Sequence, residues 1–592
     1  MSPTSVKRKK QGKKPPACDA CKARRVLCHP QTNGAPCPRC AEKGVICRTT
    51  PVARGRPRKK PIAAQPISAV PDELRPVASG SKTPPYESIL AAQPYPELSV
   101  ASLNSTPDLP DLSPELVKHL FECFAQLPQY RLPLFRTVLK NALSSMSWQI
   151  HFLPPEMRVL ALCVMALSSM ISFDEAILGP GPRPTSFTDH TVFCPGADLR
   201  AYGVRRAPMC RALHAQAFAA ACDARIHLQS SEVNAGSCFI LDVLEGRDET
   251  SSRPWAVAYV SHIRTLAASW EEQTANRAVW AGFLMAEALT ATAQRKPVIV
   301  THNDQLLITG SEPPSLEHLL ESVQATVNGS KRPSQHTQHT VYVVIQPFLF
   351  HITRLSRELS EKITGDYARR HPISETAVIN ILSALTILHS ITSLAFDQVG
   401  YINTAKPLFH LPSSLQGDRD LYAATFAISF GFTSLVLALY RETAHRTAKE
   451  AHGTQSQFTK ERHTLLRRQV HELAGIAAEY VARSLHILPT VPHLTLPRWR
   501  SLQGWAQFCL DEADAAGAIP PGRLEVFTTI TDALKLNGYS CDLPLSSSLI
   551  ERMESYMTEQ WTSSFGASSE SALTNINMFS FDNSWMGMFD RM

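Results

Sequence analysis

The sequence predicts a three-part chain: a small cysteine-held module, a disordered Pro-rich linker and a large all-α body. Three observations carry this. Six cysteines fall within thirty residues near the start, ten prolines crowd residues 61–110, and beyond Ser113 apolar residues recur at helical spacing. At 592 residues and 44% hydrophobic content the chain can bury a large core, while 43 prolines imply that some segments have none.

Charge is spread unevenly. The formal net charge is +7, but residues 1–60 hold 17 Lys and Arg against only Asp19 and Glu42, so the front carries +15 and the remainder −8. A basic front on a mildly acidic body is the electrostatic footprint of a polyanion binder. Residues 1–15 form a basic tail with Lys7-Arg8-Lys9-Lys10 and Lys13-Lys14, which reads as a nuclear import signal or a phosphate-contacting arm. It has no apolar stretch of the kind a secretory signal requires.

Residues 16–50 contain Cys18, Cys21, Cys28, Cys37, Cys40 and Cys47, spaced C-x(2)-C-x(6)-C, then eight residues, then C-x(2)-C-x(6)-C again. Two thiolates two residues apart can chelate one zinc at about 2.3 Å. Two separate four-coordinate ions would need about eight sulfurs. Six suffice for two Zn(II) if two sulfurs bridge both, and the first cysteine of each half, Cys18 and Cys37, is the natural choice. Two Zn2+ and six thiolates leave a net charge of −2, which Lys22, Arg24, Arg25, Arg39, Lys43 and Arg48 offset while favouring deprotonated thiols. The alternative, a disulfide knot, suits secreted chains, and nothing else here looks secreted. Short helices are expected over Lys22–Leu27 and Ala41–Gly44, too short to survive unless metal holds them.

The duplicated spacing, with basic residues after the second cysteine, closely resembles the DNA-binding domain of the fungal binuclear zinc cluster transcription factors, and Pro36 resembles a loop proline common in that family. The resemblance implies a nuclear, sequence-specific RNA polymerase II transcription factor with two zinc ions. Its first cluster helix would enter the major groove of double-stranded DNA and read a CGG-type triplet. Guanine offers O6 and N7 to one Arg or Lys. Arg24 and Arg25 stand where the family's base-reading pair would be, whereas Lys22, Arg39, Lys43 and Arg48 are assigned to phosphates.

Two rival functions were weighed: a structural or RNA-binding zinc module, and an enzyme in the helical body. RNA readers interleave aromatics for base stacking, and residues 16–50 contain no Phe, Tyr or Trp. The chain has no H-E-x-x-H, G-x-S-x-G, phosphate loop or dinucleotide fingerprint, so no catalytic residue is proposed.

Residues 51–110 read as a basic, then Pro-rich linker. Arg54-Gly55-Arg56-Pro57 resembles an AT-hook core, and a minor-groove contact competes there with phosphate attraction or nuclear import. Ten prolines from Pro61 to Pro110 exclude a long helix, and with it a coiled coil of three or more heptads. Self-association as a homodimer therefore stays open.

The body spans 111–560. Ser113-Pro114-Glu115 marks its first helix start. The stripe Leu466, Val470, Leu473, Ala477, Tyr480 reads as a core-facing helix, while Val341-Tyr342-Val343-Val344-Ile345 is β-prone. The uncharged stretches Thr376–Phe396 and Leu421–Tyr440 are each long enough for a membrane span, but their polar residues fit buried helices better, and no membrane partner is expected. Residues 111–320 resemble, more loosely, the fungal "middle homology" regulatory region. The resemblance rests on Ser231–Gly246, on Arg253-Pro254-Trp255, and on Arg277-Ala278-Val279-Trp280 through Glu287, Arg295-Lys296-Pro297, Asn303-Asp304 and Pro313-Pro314. The departures are Ala281 for the second Trp, Glu287 for Asp and Arg295 for Gly. Core packing is expected for Trp255 and Trp280, and a satisfied core position for His389. The remaining eight cysteines show no pairing rhythm and are expected to be reduced and mostly buried. Finally, residues 561–592 interleave Phe579, Phe581, Trp585, Met586 and Phe589 with polar and acidic residues. That suits an activation segment folding onto a coactivator, or a terminal helix docked on the body.

Overall fold

Helices, with short 3-10 and π turns, are the only regular structure among the described residues. The computed structural model describes residues 17–24, 26–31, 35–49, 111–194, 196–245, 252–270, 274–329, 333–403, 416–450, 457–487, 499–540 and 544–566. The basic tail, the linker and residues 567–592 therefore lie outside the described residues, as do Arg25, Arg54, Gly55, Arg56, Pro57 and Cys541. The chain divides into two units, residues 1–95 and 96–592.

In the first unit, α1 spans Asp19–Ala23 and α2 spans Pro38–Glu42. Both start three residues before the predicted positions. The reason is local: Cys18 (φ −66°, ψ 154°) and Cys37 (φ −60°, ψ 150°) are extended and sit at the N-caps, so each C-x(2)-C pair is itself the first helical turn. The two halves then close alike. The N–H groups of Lys22 and Ala41 donate to Cys18 O and Cys37 O at 2.9 and 3.0 Å, and those of Val26 and Val45 to Cys21 O and Cys40 O at 3.1 and 3.0 Å.

The second unit begins as predicted. In α3 (Pro114–Phe124) the Ser113 hydroxyl accepts from Leu116 N at 3.3 Å, with Pro114 first in the helix and Glu115 in its first turn. Helices α4 (Lys140–Ser145), α5 (Pro155–Ser169), α6 (Glu175–Leu178), α7 (Arg200–Asp223), α8 (Glu232–Glu245) and α9 (Pro254–Leu266) follow. Helix α5, continuously buried from Val159 to Ser169, is central, packed by α3, α7 and α8. Then come α10 (Thr274–Ala293), α11 (His302–Thr309), α12 (Leu316–Gly329), α13 (Pro333–Leu359), α14 (Glu375–Asn403), α15 (Gln416–Glu450) and α16 (Gln457–Ile487). The chain closes with α17 (Trp499–Ala516), α18 (Leu524–Asn537) and α19 (Pro544–Gly566), so helix continues six residues past the predicted end of the body.

Tertiary burial overrides strand propensity in α13, which contains the β-prone run. Val344, Phe348, Ile352, Leu355 and Leu359 recur at steps of four, four, three and four, and all are buried. The two uncharged stretches form much of α14 and α15, which are apolar enough to cross a membrane by composition alone; 39% and 67% of their most apolar windows are buried. Gly431 in α15 lets α13 approach closely, since a Cβ there would meet Ile352 and Phe348 at 3.1 Å. In α16, Val470, Ala477 and Tyr480 are buried and Leu466 and Leu473 pack beside them, so the stripe faces the core as expected. His389 is half-buried against the Tyr480 ring (5.4 Å), and burial pushes its pKa down, which suits a neutral core histidine. Cys123, Cys163, Cys210, Cys238 and Cys509 are free and buried; Cys194 and Cys222 are free and exposed.

A buried ionic cluster ties α8, the start of α9 and α10 together. Arg253, just ahead of α9, bonds Asp242 of α8 at 2.8 Å and Glu287 of α10 at 3.1 Å. Glu287 also accepts the N–H groups of Ile299 and Val300 at 3.4 and 3.3 Å. Burial raises the Glu287 pKa and the Arg253 charge opposes that rise. Arg295 has φ 60°, the left-handed backbone that favours glycine. Trp255 and Trp280 are core residues, as expected; Trp280 stacks on Trp270 with centroids 5.5 Å apart.

Removing the cation should strand two carboxylates in the core. Arg253→Met is expected to cost about 3–5 kcal/mol, read by urea denaturation through tryptophan fluorescence; a loss under about 1 kcal/mol would show the triad to be incidental.

Candidate metal centre

The N-terminal module has almost no apolar core. Its buried residues are Cys18, Cys21, Cys37 and Cys40, with Ala20, Cys28 and Cys47 packed beside them. The sulfurs of those four cysteines all lie within 4.8 Å of one another. Around one tetrahedral zinc with bonds of about 2.3 Å, sulfurs stand about 3.8 Å apart. The observed separations match that edge: Cys18–Cys37 3.9 Å, Cys18–Cys40 3.7 Å, Cys21–Cys37 3.7 Å and Cys18–Cys28 3.7 Å. The cysteine cluster is thus of the right chemistry and dimensions to hold zinc.

Backbone groups organise the outer sulfurs in the same way twice. Cys18 N donates to Cys28 Sγ at 3.4 Å, and Cys37 N donates to Cys47 Sγ at 3.3 Å. Asp19 N donates to Arg48 O at 2.8 Å, joining the end of the module to its start. The spacing made Cys28 and Cys47 candidate ligands, but these supporting amides were not read from it. The signal was the equal ten-residue interval in each half.

The thiols divide electrostatically. The Cys21 backbone N–H favours the Cys18 thiolate and pulls its pKa to about 6; the Cys40 backbone N–H lowers that of Cys37. Burial pushes Cys21 up to about 12 and raises Cys40 as well. Cys18 and Cys37, each opening a helix, are therefore the two sulfurs most ready to be anionic. Bound zinc would supply the positive charge that lets the remaining thiols ionise beside them.

The candidate DNA-contacting side chains that are described, Lys22, Arg24, Arg39, Lys43 and Arg48, are all exposed. Lys22 lies in the last turn of α1 and Arg24 at its C-cap; Arg39 lies in α2 and Lys43 at its C-cap. Arg25 and the Arg54–Pro57 segment lie outside the described residues. No family model, no curated protein and no solved structure matches this chain.

Because helices of five residues cannot persist alone, metal removal should melt the module. In the full chain, a strong chelator is expected to abolish hydrogen-exchange protection at the amides of Lys22, Val26, Ala41 and Val45 while the body helices keep theirs. Mass-spectrometric exchange with and without chelator reads this, and unchanged protection would mean that no metal holds the fold.

Proposed function

We propose that residues 16–50 hold two zinc ions and read CGG-type triplets in double-stranded DNA, so that the chain acts in the nucleus as a sequence-specific RNA polymerase II transcription factor. One observation carries the two-ion reading. Cys18 Sγ lies 3.9 and 3.7 Å from the sulfurs of Cys37 and Cys40 in the other half, and Cys37 Sγ lies 3.7 Å from that of Cys21, so the first cysteine of each half is within ligand-edge distance of both halves. Two tetrahedra sharing Cys18 and Cys37 need such contacts. The first would take Cys18, Cys21, Cys28 and Cys37, and the second Cys37, Cys40, Cys47 and Cys18.

The zinc supplies structure, holding α1 as a rigid stub. The chain's own side chains do the reading. Arg24 and Arg25 are assigned to guanine edges, where a planar guanidinium can engage O6 and N7 together. Lys22, Arg39, Lys43 and Arg48 are assigned to phosphates, which fix register without sequence information. The exposure of the five described members of this set supports the assignment. The +15 charge of residues 1–60 supplies the long-range attraction. Body and C-terminal segment would regulate, through self-association and coactivator contact.

Binding titrations on matched and scrambled duplexes at several salt concentrations test the reading. Arg25→Ala should weaken the matched site by about 1–3 kcal/mol and leave the scrambled site nearly unchanged. Lys43→Ala should weaken both alike and reduce the salt slope by about one. Equal losses on both duplexes for Arg25→Ala refute its role as a base reader. Elemental analysis tests the sharing: Cys18→Ser or Cys37→Ser should lower zinc content more than Cys47→Ser, and equal losses would sink the bridging assignment.

A further inference from the structure

The six cysteines of the N-terminal module are not equally reachable. Cys18, Cys21, Cys37 and Cys40 lie in or at the N-caps of α1 and α2, and each is no more than 3% exposed. Cys28 and Cys47 are half-buried, each in an irregular segment that follows its helix. A reagent arriving from solvent therefore meets the outer two first. In the body, Cys123, Cys163, Cys210, Cys238 and Cys509 are buried. Cys222 is exposed, but residual burial and the Asp223 and Glu245 carboxylates raise its pKa and keep the thiol protonated.

Cys28 touches a second sulfur directly. Its Sγ lies 3.7 Å from Cys18 Sγ and accepts the Cys18 N–H at 3.4 Å. Leu27, the residue before it, is 69% exposed, so packing does not pin the segment that carries Cys28. Its surroundings are electropositive, since residues 16–50 hold Lys22, Arg24, Arg25, Arg39, Lys43 and Arg48 against Asp19 and Glu42. Partial exposure, positive surroundings and an adjacent thiol are the combination that oxidants attack.

We propose that Cys28 is the oxidant-reactive thiol of the module and Cys18 its resolving partner, so that a hydroperoxide joins the two and opens the cluster. The Cys28 sulfur attacks one peroxide oxygen, the O–O bond breaks, and hydroxide leaves, taking up a proton to become water. Cys28 is then a sulfenic acid. The Cys18 thiolate attacks that sulfur, the S–O bond breaks, and a second hydroxide leaves as water. Two thiolates, one hydrogen peroxide and two protons thus give one disulfide and two waters, with two electrons passing from sulfur to peroxide. The module loses two metal ligands in this way. That consequence rests on the zinc reading above; the sulfur chemistry does not.

Limiting hydrogen peroxide, added to the full-length protein in thiol-free buffer, tests the proposal. Dimedone present from the start should label Cys28 before any other cysteine. Without the trap, non-reducing peptide mapping should find the Cys18–Cys28 disulfide as the first product, zinc should pass to a chromogenic chelator in step with it, and dithiothreitol should return both thiols. In Cys28→Ser, Cys18 should keep its thiol over the interval in which the wild-type chain loses it; if that variant does not fold, the wild-type map decides. A first label or first disulfide at other cysteines overturns the proposal, as do inert thiols, retention of zinc by the disulfide form, or Cys28 passing to sulfinic acid without linking to Cys18. Zinc content before peroxide is added reports on the metal reading alone. A chain that holds no zinc fails that reading, and the order in which its thiols react still decides this one.

Discussion

Sulfur crowding is the constraint on which the N-terminal module depends. Four cysteine side chains are the only fully buried ones among its described residues, and their sulfurs lie within 4.8 Å of one another. Such a core supplies little hydrophobic stabilisation, of the order of one or two larger side chains. Helices of five residues add no independent stability. Thiolates at these distances repel unless a cation stands among them. The module therefore makes physical sense as a metal-held unit, and its polypeptide serves chiefly to present sulfurs twice in the same way. The paired amide-to-sulfur contacts at Cys28 and Cys47 are part of that presentation, since they orient the two ligands that α1 and α2 do not carry.

A different economy governs the body. Its core is contiguous and apolar, so buried charge must be justified contact by contact. At Asp242, Arg253 and Glu287 the justification is architectural: one guanidinium joins α8, the start of α9 and α10, while two amides of the following turn complete Glu287. Arg369 and Arg446 flank Glu442 in a second such cluster. Against these satisfied groups, Arg206 differs in kind. It is held by Ser169 O at 3.0 Å and by the face of the Tyr539 ring rather than by a carboxylate.

Much of this was legible in the residues, because the strongest signals were chemical. Cysteine spacing located the module, and Ser113-Pro114-Glu115 located the first helix of the body. The Leu466–Tyr480 stripe marked a core-facing surface, whereas the Pro-rich linker lies outside the described residues. What escaped were features that depend on the third dimension. The helices α1 and α2 begin at the first cysteine of each half because the chelating turn is the helical turn, which a propensity reading of Lys22–Leu27 does not anticipate. Val341–Ile345 is helical because burial along α13 outweighs local preference. The Arg253 triad joins positions forty-five residues apart, and only the proximity of α8 and α10 reveals it. Arg295 likewise takes a left-handed φ of 60° that its residue type does not announce.

Holding the module from inside by sulfur and metal has a consequence for its exterior. When the interior is six cysteines, no outward side chain is needed for packing. Leu27 and Ile46, at matching positions before the third cysteine of each half, are 69% and 86% exposed, so even apolar residues there are excused from the core. Lys22, Arg24, Arg39, Lys43 and Arg48 likewise lie exposed on the surface. Substitutions at these positions change the surface and leave the four buried cysteines in place. Substitutions at the cysteines act the other way round, removing the scaffold and every contact with it. What holds the module together is therefore separate, within thirty residues, from what it presents to solvent.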